Sequence, residues 1–207
     1  MSTAGRQVEG ARTRARVLAA AGQLIAAQGY SGTSISQISR ASATNPASIY
    51  WAFGSKEGLF AAVMEHSAER FFDDFAVRVP DEPDIWTALE RLAEAFEGGP
   101  EFLRLLLVLS LERRDGDPAI GDAARRVRAR SLASLARGFA RALALDEPAA
   151  VRSICEPLAR YTLMLLDGVF VASQIEAETT NLRESFRLIA VGVRATADRL
   201  LAEHQVD

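Results

Sequence analysis

Apolar residues recur along this 207-residue chain at intervals of three and four, with no sustained alternation of period two and no Asn-Gly or Asp-Gly hairpin signal. That periodicity belongs to helices with one buried face, so the spacing predicts an all-α fold. Val17, Leu18, Ala21, Leu24 and Ile25 form the first stripe, and Gly29 follows it as a natural C′ residue. Thr33 or Ser34 then starts a short second helix. Ser34 and Gln37 stand at capping-box spacing, and Ile35, Ile38 and Ala41 or Ser42 point inward. A turn through Ala43 and Thr44 leads to Asn45-Pro46, an N-cap followed by the one helical position where a missing N–H costs nothing. Ile49, Tyr50 and Phe53 give the third helix its packing side. Gly54 ends it, and Ser55 caps a fourth that carries Leu59, Phe60, Val63, Met64, Phe71 and Phe75 inward.

Clear punctuation continues beyond residue 78. Pro80 to Asp84 reads as a loop, Ile85, Leu89, Leu92 and Phe96 as a fifth stripe, and Gly98 to Pro100 as a break. Phe102 to Leu111 is apolar on all sides, the mark of a helix buried on several faces. Arg114 to Pro118 is a stop followed by a start, with Asp117 as cap, after which Ile120, Val127, Leu132, Leu135, Phe139 and Leu143 face a core. Asp146 begins an eighth helix, and Pro157 inside its pattern predicts a kink or a later start. Asn181 and Glu184 form a capping box for the last, which runs toward His204. The sum is about nine helices, three small ones first and a larger bundle after. The expected division is 1–56, an N-terminal arm with a helix-turn-helix, and 57–207, a helical domain.

At 49% hydrophobic and 25% charged residues the composition is that of a globular protein. The first residues contain no apolar signal-like run. The longest apolar stretch, Phe102 to Leu111, is interrupted by Arg104 and is too short to span a bilayer. Cys155 is the only cysteine, so no intramolecular disulfide can form. A cytoplasmic protein with no membrane partner is the expectation. The net charge of −3 argues against a nucleic-acid partner, but its distribution argues for one. Through Lys56 the chain carries Arg6, Arg12, Arg14, Arg16, Arg40 and Lys56 against a single acid, Glu9, a net +5, which leaves −8 for the remainder.

A scaffold helix, a second helix, a tight turn and a short third helix are the layout of a helix-turn-helix unit. In that geometry Thr33 or Ser34, at a helix start, and the Ser55–Lys56 corner are natural phosphate clamps. Tyr50 can pack its ring and give its hydroxyl to a phosphate. Asn45 and Ser48 can reach base edges, and Ala47 or the rim of Trp51 can meet a thymine methyl. The stretches "GYSGTSISQIS" and "IYWAFGSKEGLF" resemble the DNA-binding region of the TetR family of transcriptional repressors, over roughly residues 12 to 65. The resemblance implies a phosphate contact for Thr33, a place at or near the groove for Ala47, Ser48, Tyr50 and Trp51, and a backbone contact for Lys56. Three positions depart from the family pattern. Ala43 stands where the turn glycine is usual, and Pro46 and Ala52 stand where polar residues are common, which thins direct base readout.

The same resemblance implies a homodimer joined through the last two helices and bound to a near-palindromic double-stranded operator. The apolar stripes there are Leu158, Thr162, Leu165, Val169 and Phe186, Ile189, Ala190, Val193, Ala197, and on residues alone they could equally pack within one subunit. It also implies a small-molecule effector in the larger domain, whose binding re-angles the fourth helix. Phe71, Phe75, Trp86, Phe102, Phe139, Tyr161 and Met164 are the lining residues available, each also at home in a plain core. Cys155, His66 and His204 are too scattered for a metal site, and the run Arg125, Arg126, Arg128, Arg130 reads as a solvated face paired with acids. No phosphate-binding loop, dinucleotide fingerprint, zinc-protease helix or nucleophile elbow is present, so neither an enzyme nor a bound cofactor is expected. Two other readings remain: a regulator of the same fold answering to a protein partner or to no ligand, and a helical adaptor or enzyme.

Overall fold

The computed structural model describes residues 3–78, 84–97, 101–111 and 118–204. Among them every regular element is a helix: α1 (Thr3–Gly32), α2 (Ile35–Ser42), α3 (Pro46–Phe53), α4 (Lys56–Arg78), α5 (Ile85–Glu97), α6 (Glu101–Leu111) and α7 (Pro118–Ala142). Two more follow, α8 (Pro148–Ile175) and α9 (Leu182–His204). The breaks predicted at 80–83, 98–100 and 112–117, Asp117 included, lie outside the described residues. The chain divides into two compact units. Unit 1 is Met1–Phe72 with Glu101–Val127, and unit 2 is Asp73–Pro100 with Arg128–Asp207, so of the three divisions two fall inside a helix, α4 and α7, and the third at the start of α6.

In unit 1 the first stripe is buried as its spacing requires: Val17, Leu18, Ala21 and Ile25 are all enclosed, and Leu24 is half-buried. Gly29 leaves helical geometry at φ 74°, and the chain turns there toward α2. Ser34 caps α2 with both halves of the capping box formed, and Ile35, Ile38 and Ser42 face inward, Ser42 rather than Ala41. Leu59, Phe60, Val63 and Met64 of α4 are buried against this core, as are Phe102, Leu105 and Leu109 of α6. Phe71 lies 4.6 Å from Phe102, ring centre to ring centre. The outer end of α6 is open, with Leu111 largely exposed.

Unit 2 is knitted by aromatic contacts. Phe96 of α5 meets Phe186 of α9 edge-on at 4.9 Å and Phe170 of α8 at 6.1 Å, and Trp86 lies 5.7 Å from Phe139 with the Arg194 guanidinium 4.9 Å over its ring. Asp84 caps α5 by accepting from the Trp86 N–H and the Thr87 hydroxyl. Helix α8 begins one residue later than the sequence suggests. Pro148 takes the first helical position, and the carboxylate of Glu147, not Asp146, accepts from the Ala150 N–H. The disturbance expected at Pro157 takes the form of one π-helical turn, Val151–Cys155, in which the Glu156 N–H reaches back to the Val151 carbonyl. A wider turn just ahead of a proline eases the contact of its ring with the preceding carbonyls.

The apolar stripes assigned to subunit contact need correction. Leu158, Thr162, Phe186, Ile189, Ala190, Val193 and Ala197 are buried within unit 2, and only Leu165 and Val169 are partly open. The apolar side chains that α8 and α9 leave exposed lie on other faces: Met164, Val171 and Ile175 on the first, Leu188 and Val191 on the second. By length and composition alone α8 is apolar enough to cross a membrane, with only 33% of its most apolar window buried. The basic run of α7 is a paired face as expected. Arg125 meets Asp122, Arg126 meets Glu65 at 2.7 Å, Arg128 meets Asp167 at 2.8 Å and Arg130 meets Asp73 at 3.9 Å.

Between α2 and α3 the chain makes a Schellman turn. The Thr44 N–H reaches the Ser39 carbonyl and the Ala43 N–H the Arg40 carbonyl, with Ala43 between them at φ 47°, ψ 41°. A Cβ is strained in that left-handed region, by about 1 kcal/mol in general. The same motif with the same anomaly ends α7, where Ala144 sits at φ 51°. Ala43→Gly is therefore expected to raise stability by about 0.5–1 kcal/mol despite the looser unfolded chain, read as a higher denaturant midpoint at unchanged slope.

Candidate nucleic-acid interface

Helix α3 is eight residues long and without charge. The Asn45 side chain accepts from the Ala47 N–H at 2.8 Å, and Pro46 stands at the first helical position. One side chain, Ile49, anchors it at 1% exposure. The opposite face is bare: Asn45, Ala47, Ser48 and Ala52 are exposed, Tyr50 is half exposed and Trp51 is 91% exposed. An indole left almost wholly in water forgoes about 2–3 kcal/mol of burial.

The joint between α3 and α4 is tight. Gly54 turns the chain at φ 77°, and the Ser55 hydroxyl caps α4 by accepting from the Gly58 N–H at 2.9 Å. A Cβ on Gly58 would stand 2.2 Å from the Phe53 carbonyl oxygen, so only glycine admits this approach. Behind the joint, Lys56 is engaged from within. Its ammonium donates to the Tyr30 carbonyl at 3.0 Å and lies 4.4 Å over the Tyr30 ring and 5.3 Å from that of Phe60. The Tyr30 hydroxyl donates to the Glu57 carboxylate at 2.6 Å, and that bond holds the Glu57 pKa below the usual carboxylate range. The residue after Gly29 is thus fastened to the first turn of α4.

The remaining residues assigned from sequence are placed as follows. Thr33 is buried and its hydroxyl donates to the Gly29 carbonyl, and Ser34 is exposed with its hydroxyl shared with Gln37. Thr33, Ser34, Asn45, Ala47, Ser48, Tyr50, Trp51 and Lys56 all fall in unit 1: Thr33 and Ser34 just ahead of α2, Asn45 at the cap of α3, Ala47 to Trp51 on α3, and Lys56 at the start of α4. The effector-lining set is divided: Phe71 and Phe102 pack together in unit 1, whereas Phe75, Trp86, Phe139, Tyr161 and Met164 are in unit 2. Phe139 is fully buried, and Met164 is 56% exposed. Three residues that shape the interface were not singled out. Arg14 lies over Phe53, Tyr30 binds Lys56 and Glu57, and Gly58 admits the Phe53 carbonyl. A glycine two residues past a lysine, in the first turn of an apolar helix, was the signal available for the last.

Comparison with known proteins agrees with this geometry. The family model of bacterial regulatory proteins of the tetR family matches residues 17–63, which run from α1 through α2 and α3 into α4. The HTH-type transcriptional repressor NicS of Pseudomonas putida is 35% identical over 106 residues, 49% of this chain and 50% of the relative. The HTH-type transcriptional repressor SCO4008 of Streptomyces coelicolor is 36% identical over 101 residues, 48% of this chain and 50% of the relative. The chain thus spans about half the length of the curated relatives it matches. Among solved structures, a transcriptional regulator from Saccharomonospora viridis in complex with choline superposes with a TM-score of 0.70 at 20% identity, covering 89% of this chain and 96% of that one.

Proposed function

We propose that this chain, whose residues 17–63 match the model of the tetR family of bacterial regulatory proteins, is a dimeric, effector-responsive transcriptional repressor of that family. The observation that carries the reading is the bare outer face of α3, held by a single buried anchor and presenting Ser48, Tyr50 and Trp51 next to the cationic corner of α4. A short helix on a helix-turn-helix scaffold enters a major groove by its N-terminal part. There Ser48 meets a base edge, Ala47 and Trp51 meet thymine methyls, and the Tyr50 hydroxyl meets a phosphate. Affinity comes from the flanks: Arg12 and Arg16 of the arm, the starts of α2 and α4 with Ser34, and Lys56, whereas Thr33 is buried with its hydroxyl on the Gly29 carbonyl and is left out. With so few polar groups on α3, stringency per half-site is modest.

Dimerisation is proposed through the faces of α8 and α9 that remain exposed. Met164, Val171, Ile175, Leu188 and Val191 are large apolar side chains in water, and a second copy supplies a self-complementary cover. Such a cover also accounts for a helix as apolar as α8 having so little of its surface buried in one chain. Two reading heads then span half-sites roughly 34–36 Å apart, or a multiple of that. The effector is proposed to bind in the helical domain, 57–207, with Phe75, Trp86, Phe139 and Tyr161 as the aromatic material in unit 2. The choline-bound structure of similar fold supports the capacity of this architecture to hold a small molecule. The cytoplasm is the compartment that such a role requires.

Three measurements test these statements. The wild-type protein is expected to enrich a duplex from a random-sequence pool and to lose affinity for it with a log–log salt slope of about −0.9 per phosphate neutralised. Absence of duplex binding at low salt would sink the DNA-reading role. On that duplex Ser48→Ala should shift the preferred sequence. Lys56→Ala should lower the slope by about one and also the melting temperature, since its ammonium holds the Tyr30 carbonyl. Leu188→Glu should give a folded monomer by sedimentation, and an unchanged dimer would move the interface elsewhere. In a thermal-shift panel of hydrophobic aromatic compounds, with choline included, an effector at 100 times its Kd should stabilise by roughly 2.7 kcal/mol, and a panel without response favours control by a protein partner or by none.

A further inference from the structure

The arm arginines are equivalent in sequence but not in structure. Arg12 and Arg16 are exposed on α1, and Arg16 reaches no farther than the Thr13 hydroxyl, at 3.3 Å. Arg14 crosses 38 positions to α3. Its guanidinium carbon lies 4.4 Å over the Phe53 ring, and one N–H donates to the Ala52 carbonyl at 3.5 Å. The site of contact matters more than its strength. The last carbonyls of a helix have no partners within it, and they form the negative end of its dipole. At this end of α3 the Gly54 N–H closes on the Tyr50 carbonyl and the Ser55 N–H on the Phe53 carbonyl. The Ala52 carbonyl between them is met by Arg14.

Helix α3 has no basic residue in its last turn. It is also far shorter than the ~12–15 residues at which an isolated helix begins to persist in water. The positive charge that a helix C-terminus favours comes here from another helix. We propose that Arg14 is a positioning residue for α3: it caps the reading helix from α1 and fixes the azimuth at which Ser48 and Trp51 face outward, while Arg12 and Arg16 are left to the phosphates. This rests on the DNA-reading role proposed above, but it makes a claim about the free protein as well. A planar guanidinium both stacks and donates in a fixed fork, so lysine is not an equivalent at such a place.

The test has two arms. In the free full-length protein, Arg14→Ala is expected to speed amide hydrogen exchange in 48–53 roughly fivefold, the size expected of an exposed cation–π contact with a dipole term, and to leave α2 and the core of α4 unchanged. Phe53→Leu should do the same, and the double variant should add nothing further. In the DNA arm, the probes are the duplex enriched by the wild type and the unselected starting pool. Arg14→Ala should weaken the first roughly fivefold, leave the second unchanged and keep the salt slope. Unaltered exchange in α3 overturns the proposal. So does a slope lower by about one with both duplexes weakened alike, which is the signature of a phosphate contact. Arg14→Lys guards against a variant that misfolds: full rescue in both arms points to charge alone and also overturns it, whereas partial rescue supports it. If the wild type binds no duplex, the DNA-reading role fails, and the exchange arm still decides whether Arg14 holds α3.

Discussion

Two helices of unit 1, α2 and α3, are eight residues each, and neither has the length to hold its own shape. They are held by burial. Ile35 and Ile38 of α2 and Ile49 of α3 close against the core that Val17, Ala21 and Ile25 share with Leu59, Phe60, Val63 and Met64. Side chains of this kind are worth about 1.5–3 kcal/mol each when enclosed. Only Ile49 is fully enclosed on α3, so that side chain is the main apolar anchor of the helix. The polar features follow from this seam. Ser34 and Asn45 satisfy the N–H groups that the two short helices expose, and the Schellman turn at Ala43 takes up the carbonyls between them.

Unit 1 uses the chain's single lysine and one of its arginines as internal fasteners. Lys56 ties the segment after Gly29 to the start of α4 through the Tyr30 carbonyl and ring, and Tyr30 ties back through Glu57. Arg14 does the corresponding work between α1 and the end of α3. Both lie over aromatic rings, where a cation keeps part of its stabilisation without leaving water. Each cation is thereby held in one orientation by the chain itself.

Helix starts and stops were legible because each is a local chemical event. Ser34 with Gln37, Asn45 with Pro46, Gly54 with Ser55 and Asn181 near Glu184 announce themselves within four residues, and the structure uses them. What a single helix cannot announce is which of two apolar faces turns inward. On α8 and α9 both faces are apolar, so residues alone leave open whether the stripe through Leu158, Phe186 and Val193 packs within the subunit or outside it, and in this chain it forms the inner face. The start of α8 slipped by one residue because Asp146 and Glu147 are both able caps, and the proline after Glu147 decides between them. Arg14 and Tyr30 escaped notice for a different reason: their partners lie 38 and 27 positions away, and no periodicity links them. The turn through Ala43 was legible as well, and its two hydrogen bonds hold a non-glycine residue in the left-handed region.

The two tryptophans fall one in each unit, in opposite surroundings. Trp51 stands in water on α3, and Trp86 lies against Phe139 beneath the Arg194 guanidinium. The molecule therefore carries its own pair of optical reporters. A solvent-relaxed indole emits at long wavelength and is open to soluble quenchers, and one half-buried between a ring and a cation is less open to both. Whatever covers α3 is seen by the first, whatever loosens the aromatic cluster is seen by the second, and no label has to be introduced to tell them apart.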